Sequence, residues 1–174
     1  ATYMFTNPTT VKGLNVKYYG VAPNTPGRLI VMPVNADGSE QAAGGNWYHS
    51  WHGIYSYGNH TTGYQQGAAF GQISDYNYEI MPPSSPYDTG LLGQSTMNFA
   101  EPTDAYPNRM HIVSQLTYQR GNNYDRMSIQ TSSSAWSTAS NLVDRTLLRG
   151  IKFKWENATY EFGAGTISVQ EVNT

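Results

Sequence analysis

Hydrophobic and polar residues alternate with a period of two along much of the chain, and the spacing of an amphipathic helix is almost absent. The clearest alternation covers residues 147–155, where Ile151, Phe153 and Trp155 lie on one side and two lysines on the other. This pattern is typical of a strand with one face in a core and one in water. The same pattern recurs over residues 108–120 and 166–172.

Weaker alternation predicts seven further strands, over residues 15–20, 28–34, 46–57, 68–74, 77–81, 96–101 and 126–131. Turn-forming residues separate the strands, most clearly at 35–38 and at 121–123, where the chain predicts a hairpin tip between two long strands. The predicted fold is all-β: an antiparallel, jelly-roll-like β-sandwich of about ten strands. No break in composition divides the chain, which predicts one domain over residues 1–174.

Composition narrows the classes of function. Only 13% of the residues are charged, yet 14 Tyr, 4 Trp and 5 Phe supply the buried surface that a disordered chain lacks. The net charge of −2 offers no attraction to nucleic acid or to an anionic membrane, and no apolar run is long enough to span a bilayer. We therefore expect neither nucleic-acid binding nor membrane insertion. Without cysteine, disulfides, thiolate catalysis and cysteine-ligated zinc are excluded.

Two motifs in the last third of the chain carry a family resemblance: Arg-Gly-Ile-Lys-Phe at 149–153 and Phe-Gly-Ala-Gly-Thr-Ile-Ser-Val at 162–169. Together they resemble the closing hairpin of phage tail-fibre and related virion proteins, which ends in a Gly-Thr-Ile-Ser-type strand. Residues 18–20, 28–31 and 47–53 are similar in order and spacing to earlier strands of that family. The family's terminal Leu-Tyr-Gly is replaced here by residues 169–171, Val-Gln-Glu.

The resemblance implies a structural protein on the surface of a bacteriophage virion, without catalysis or cofactors. Such a protein is a short receptor-binding fibre or a subunit that decorates the capsid or tail. Its partners would be other virion proteins, copies of itself and a glycan of the host cell surface. It would be assembled in the host cytoplasm and carried on the extracellular particle.

The most distinctive segment, residues 45–64, holds most of the candidate contact residues. Aromatic faces beside amide and imidazole donors suit sugars and protein interfaces alike. On a strand, Trp47, His49 and Trp51 share one face while Tyr48 and His52 share the other, so one set would instead fill the core. The predicted binding residues are Trp47, Tyr48, Trp51, His52, Tyr55, Tyr57 and Tyr64.

Metal binding and catalysis have weaker support. Three histidines, His49, His52 and His60, lie close in sequence, but on a regular strand the first two fall on opposite faces, which separates them and disfavours a shared ion. The acidic residues are scattered, and no nucleophile elbow, phosphate loop or dinucleotide motif is present. The prediction is a non-enzymatic protein without metal or cofactor. The alternatives are a lectin-like carbohydrate-binding module and, third, a polysaccharide hydrolase.

Overall fold

The structure of the 174-residue chain is a computed structural model. It describes residues 1–25, 27–41, 45–56, 62–73, 78–79, 89–100, 110–120, 125–136, 146–155, 157 and 159–173. Over residues 45–56, 62–73, 78–79 and 125–136 the description is of the backbone, together with the exposure of Ser50, Gly53 and Gln66.

These ranges contain β-strands and no helix, so the all-β prediction is confirmed for them. They hold no helix of the length and apolarity that crossing a membrane requires. Each of the ten predicted segments overlaps a strand, and one further strand, β1, was not predicted. The strands are β1 (Thr2–Met4), β2 (Val11–Pro23), β3 (Leu29–Val34), β4 (Gly45–Ser56), β5 (Thr62–Ile73), β6 (Tyr78–Glu79), β7 (Thr89–Phe99), β8 (Met110–Arg120), β9 (Asp125–Trp136), β10 (Gly150–Trp155) and β11 (Phe162–Asn173).

The strands form two antiparallel sheets. The smaller sheet has the order β1-β10-β3-β6, and the larger has the order β11-β2-β7-β8-β9-β4-β5. Buried residues from both sheets form one hydrophobic core. The Tyr18 ring of the larger sheet meets the Phe153 ring of the smaller sheet edge-on, with centroids 6.4 Å apart. The two sheets therefore share one core.

Alternation along the strands explains this core. In β2, Leu14, Val16 and Tyr18 are buried while the residues between them are exposed. Strand β10 repeats the pattern with Phe153 and Trp155 buried and its lysines only half-buried. Strand β3 differs, because all six of its residues are buried. Burying an aliphatic or aromatic side chain of this size contributes about 1.5–3 kcal/mol, so these alternating residues stabilise the fold.

The closing hairpin expected from the family resemblance is wrong. Strand β10 pairs with β1 and β3, whereas β11 pairs with β2 in the other sheet. The chain crosses between the sheets after Trp155, whose ring lies 5.1 Å from that of Phe162. Both strands turn apolar residues towards the same core, so the alternation alone cannot distinguish one hairpin from two opposed strands.

The similar motifs are nevertheless neighbours in space. The Tyr-Tyr-Gly motif at 18–20 lies beside the Gly-Thr-Ile motif at 165–167, with Tyr18 opposite Ile167. In the other sheet, residues 29–31 pair with residues 153–155, so the motif at 28–31 meets the motif at 149–153 where Val31 lies opposite Phe153. The motifs quoted in separate parts of the sequence thus form two cross-strand contacts, one in each sheet.

Two predicted turns can be compared with the fold. At residues 35–38 the Gly38 amide donates to the Asn35 carbonyl at 3.0 Å, and Gly38 has a φ of 80°, so this turn is confirmed. Strands β8 and β9 pair antiparallel up to Arg120 and Asp125, as a hairpin requires. The predicted hairpin tip at 121–123 lies outside the described residues.

Candidate binding surface

Six of the seven predicted binding residues lie on the paired strands β4 and β5, at one end of the larger sheet. Strand β4 pairs with β5 and β9 along its length. Trp47, Tyr48, Trp51, His52 and Tyr55 belong to β4, and Tyr64 belongs to β5. Their side chains, and all of Tyr57, lie outside the described part of the chain. The strand register nevertheless assigns each of the six to a position in the sheet.

Residues directly opposite each other in antiparallel strands lie on the same face of a sheet, so the register traces rows across it. The row through Trp51 continues through Thr131, Ser114, Ser95 and Val16. The last three residues are buried, with at most 2% of their surface exposed. Trp51 therefore occupies an inner row, one that belongs to the core further along the sheet.

The same relation holds for two other aromatic residues of β4. Trp47 continues a row to Met110 and Phe99, which are buried, and Tyr55 continues one to Tyr118, which is also buried. The residues directly opposite these aromatic positions on β5 are all glycines. The pairs are Trp47 with Gly71, Trp51 with Gly67, and Tyr55 with Gly63. A glycine inside a strand lacks packing, and an aromatic residue opposite it offsets that loss, which favours a structural role for this set.

The outer rows hold the remaining candidates. The row through His52 continues through Gln130, Gln115, Gln94 and Lys17. Gln115, Gln94 and Lys17 are exposed, as is Gln66 opposite His52 on β5. This row, which we call the glutamine row, crosses six strands and places four glutamines and a histidine side by side.

Two further rows flank the glutamine row. Tyr48 continues a row to His111 and to the exposed Asn98, and Tyr64 continues one through Ile54 to the exposed Thr117. The seven predicted binding residues thus divide between inner rows (Trp47, Trp51, Tyr55) and outer rows (Tyr48, His52, Tyr64), with Tyr57 not described.

Sequence reasoning missed several members of this outer face. Phe70 lies directly opposite Tyr48, and Gln94 and Gln115 extend the row of His52. No local motif distinguishes them, because they belong to different strands and only the register brings them together. Gln115 does appear in the predicted alternation as a polar position, which is the only signal that the sequence contains.

The uncharged character of these rows is their main chemical property. On strands β2, β7 and β8 the glutamine row has one charged residue, Lys17. The residues directly opposite Lys17 are Gln94, which offers an amide, and Ser168, which offers a hydroxyl. Amides both donate and accept hydrogen bonds, so such a face suits ligands that do the same. These rows can therefore bind a ligand through their amides.

Charged groups cluster instead on the smaller sheet. Glu40 accepts from Lys152 at 2.9 Å and from Lys154 at 2.7 Å. Partial burial alone would raise the pKa of Glu40, but the hydrogen bonds and charges of the two lysines outweigh burial and lower it. The three side chains form two ion pairs, and both lysines belong to β10, which lies between β1 and β3.

Metal and catalytic sites can be tested only where side chains are described. Among those residues there is no group of three or more His, Asp or Glu that could hold a metal ion. The imidazoles of His49 and His52 and the whole of His60 lie outside this part of the chain, as do the carboxylates of Asp75, Glu79, Asp88, Glu101, Asp104 and Asp125. The predictions on these residues stay predictions.

The geometry of the two sheets and their rows is therefore the basis for assigning a function. Comparison with known proteins adds no relative: the chain matches no protein-family model, no curated protein and no solved structure.

Proposed function

We propose that this chain is a non-enzymatic structural protein on the surface of a bacteriophage virion, as a short receptor-binding fibre or as a capsid or tail decoration subunit. It contacts other virion proteins and copies of itself through its sheet faces and edges. Two lines of support carry the proposal: the resemblance of several short motifs to those of virion proteins, although the hairpin it implied is absent, and the order of the strands in the two sheets.

The strand order supports a jelly roll, a fold common among viral capsid proteins and lectins. In an eight-stranded jelly roll, one sheet pairs the first, eighth, third and sixth strands in that order. The other sheet pairs the second, seventh, fourth and fifth. Here β1-β10-β3-β6 follows the first order. The larger sheet follows the second if the three-stranded meander β7-β8-β9 takes the place of the seventh strand, with β11 added beside β2.

A three-stranded meander can replace one strand because an odd number of strands leaves the chain direction unchanged. The substitution widens the larger sheet to seven strands and gives it a broad outer face. A broad, sparsely charged face is the kind of surface through which subunits of a particle meet each other or a host. Because a fold alone does not determine function, the strand order supports a place among capsid-like proteins without replacing a direct test.

Electron microscopy of the particle encoded by the same genome tests this proposal. We expect density for this chain on the outside of the head or tail, and its peptides in purified particles. Density at the head would assign capsid decoration, and density at the tail would assign a fibre. Particles that lack both the density and the peptides would overturn the proposal.

The outer rows of the larger sheet favour one second candidate, a lectin-like carbohydrate-binding module. Neutral sugars need donors and acceptors without net charge, and the glutamine row supplies amides across six strands. The register places Tyr48 and Phe70 directly opposite each other, two rows away on the same face, and aromatic residues are the type that sugar rings stack on.

A glycan array separates this candidate from the first. We expect His52→Ala and Tyr48→Ala to weaken binding to neutral glycans at least about tenfold, the loss of roughly 1.4 kcal/mol of contact. Asn15→Ala, at an exposed position of the same face on β2, serves as the matched control and should bind normally. Absence of glycan binding by the unmodified protein would remove this candidate. Binding lost in Trp51→Ala alone, with the fold intact, would assign it to the inner rows instead.

A further inference from the structure

Strand β11 is a long strand at the edge of the larger sheet. In the described part of the chain it pairs with β2 alone, so its other edge presents backbone amides and carbonyls. Proteins protect such edges by shortness, by lysine or proline, or by covering segments. The edge strands of the smaller sheet, β1 and β6, are three and two residues long, whereas β11 has twelve residues with neither lysine nor proline.

The side chains of β11 are also those of an incomplete sheet. Ile167 and Val169 pack against the core but remain half-buried, because β11 has a neighbour on one side. On the opposite face Ser168 and Gln170 are exposed and uncharged. A further strand beside β11 would cover the two apolar side chains and pair the edge.

One carboxylate, Glu171, is the single charge of β11, and it is already held within the chain. It accepts from the Tyr3 hydroxyl at 3.1 Å and from the Thr6 amide at 2.6 Å. An incoming strand therefore meets no charge directed at it along the regular segment from Thr166 to Val172, which pairs without interruption with β2.

We propose that β11 pairs antiparallel with β11 of a second copy of this chain, around a two-fold axis through Ser168. The contact rests on the proposed function in one respect: it names the strand through which copies of the subunit meet. A two-fold contact uses the same surface on both copies, so the strand must be complementary to itself.

The register through Ser168 meets that requirement. Each Ile167 lies opposite Val169 of the second copy, so both apolar pairs are covered, and each Thr166 lies opposite Gln170. The two Glu171 residues lie opposite Gly165 and about 20 Å apart, at 3.3 Å per residue, so they do not repel each other strongly. A register centred one residue later would place each Ile167 opposite a Glu171 carboxylate. The axis through Ser168 is therefore preferred.

Sedimentation equilibrium of the purified protein tests the contact without any particle. The unmodified chain should reach twice the 19.3 kDa mass of one copy as its concentration rises. In Ser168→Glu, two carboxylates meet at the axis, and we expect the dissociation constant to increase about fivefold or more. The fold should survive, since Ser168 is exposed and lies opposite Lys17 of β2.

Two comparisons make the result specific. Gln115→Lys changes an exposed outer-face residue on β8, away from the edge, and should dimerise like the unmodified chain. Mixing Ser168→Glu with Ser168→Lys should restore dimers, because opposite charges then meet at the axis. A chain that stays monomeric at all concentrations would overturn the proposal, and so would a mixture that fails to form dimers. A dimer in solution combined with a particle that lacks the chain would retain this contact and reject the proposed function.

Discussion

Single residues of the core connect three strands through buried hydroxyl groups. The Tyr18 hydroxyl donates to Ser95 Oγ at 3.0 Å, and the hydroxyls of Ser95 and Ser114 lie 2.7 Å apart. All three residues are at most 2% exposed. Such a chain contributes little net free energy while it is complete, but an unsatisfied member costs about 1–3 kcal/mol.

Removing the middle of this chain should cost more than removing its end. We expect Ser95→Ala to lower the free energy of unfolding by about 2 kcal/mol, because it leaves two buried hydroxyls without their partner. Tyr18→Phe removes a donor and should cost about 1 kcal/mol. Urea unfolding measures both values, and equal losses would show that the hydroxyls do not act as a chain.

The raised pKa of Tyr18 predicts that the stability of the fold decreases at alkaline pH. Burial raises the pKa of its phenol well above the ordinary value of 10.0, against a smaller lowering by Ser95. Above pH 10 the unfolded chain loses this proton while the folded chain keeps it, so stability falls as the pH rises. We expect the fall to be shallower in Tyr18→Phe, as seen in thermal melts from pH 9 upward. Parallel curves for the two proteins would contradict this assignment.

The lowered pKa of Glu40 predicts that the stability of the fold decreases at acidic pH. Its pKa lies below the ordinary 4.5, because Lys154 and Lys152 outweigh the effect of burial. The ion pairs thus stabilise the fold above that value and lose their effect as the pH falls below it. Since all three side chains are about one-third exposed, Glu40→Gln should cost about 1 kcal/mol or less at pH 7. Glu161→Gln, an exposed carboxylate, is the control, and a Glu40→Gln cost that does not decline as the pH falls below 4.5 would refute the mechanism.

At the scale of strands, the bulge between β2 and β11 depends on glycine. Gly165 has a φ of 90° and faces Gly20, whose φ is 62°. A Cβ at Gly165 would overlap the carbonyl group of Gly20 and approach Val21 Cα at 2.5 Å, and both are rigid backbone. We expect Gly165→Ala to lower the free energy of unfolding by about 2 kcal/mol or more.

Gly163 supplies the matched control for this change. It lies in the same strand and is exposed, and its Cβ would meet no atom closer than 3.3 Å. Gly163→Ala should therefore cost less than Gly165→Ala, because its contacts with the backbone of Pro23 and Asn24 are tight but do not overlap and its φ is not positive. Equal losses in the two variants, measured by chemical unfolding, would show that the positive φ is not the cause.

The positions of the strands could be predicted from the sequence, because a period of two is visible in a single chain. Residues 108–120 are an example: Met110, Ile112, Leu116 and Tyr118 are all buried, as their alternation indicates. Strand β1 was missed because three residues, Thr2–Met4, are too few to show a period. The partners of each strand could not be predicted, since alternation records which face is apolar and not which strand lies alongside.

The candidate site was limited in the same way. The sequence located the aromatic segment, and the alternation of a strand placed Trp51 and His52 on opposite faces of it. Which of the two faces is turned towards the core follows from the row of pairs that joins Trp51 to Ser114 and Ser95. These serines lie about 60 and 40 residues away from Trp51 along the chain. No local pattern contains that information.

At the scale of the whole molecule, the two sheets meet at one side through Glu171. This residue of β11 accepts from Tyr3 and Thr6, which lie in and just after β1 of the other sheet. Burial raises the pKa of the Tyr3 hydroxyl, and the hydrogen bond and charge of Glu171 add to the rise. The contact holds the edges of the two sheets together.

Glu171→Ala should loosen this side without unfolding the protein. We expect the Thr6 amide to exchange with solvent about fivefold faster, the equivalent of losing roughly 1 kcal/mol of hydrogen bonding. The pKa of Tyr3 should fall towards its ordinary value. Gln170→Ala, the exposed neighbour on β11, should change neither quantity in hydrogen-exchange and titration experiments. An unchanged Thr6 exchange rate would show that the carboxylate does not hold this side.

The pairing of the first strands with the last ones also affects how the protein is made. Strands β1 and β2 leave the ribosome before β10 and β11, which are synthesised some 150 residues later, so Tyr3 awaits Ile151 and Val16 awaits Val169. During synthesis the apolar face of β2 has no permanent partner on that side. Because loop closure over so many residues is slow, folding of these sheets is expected to follow synthesis of β11, and crowded nascent copies would be exposed to mispairing until then.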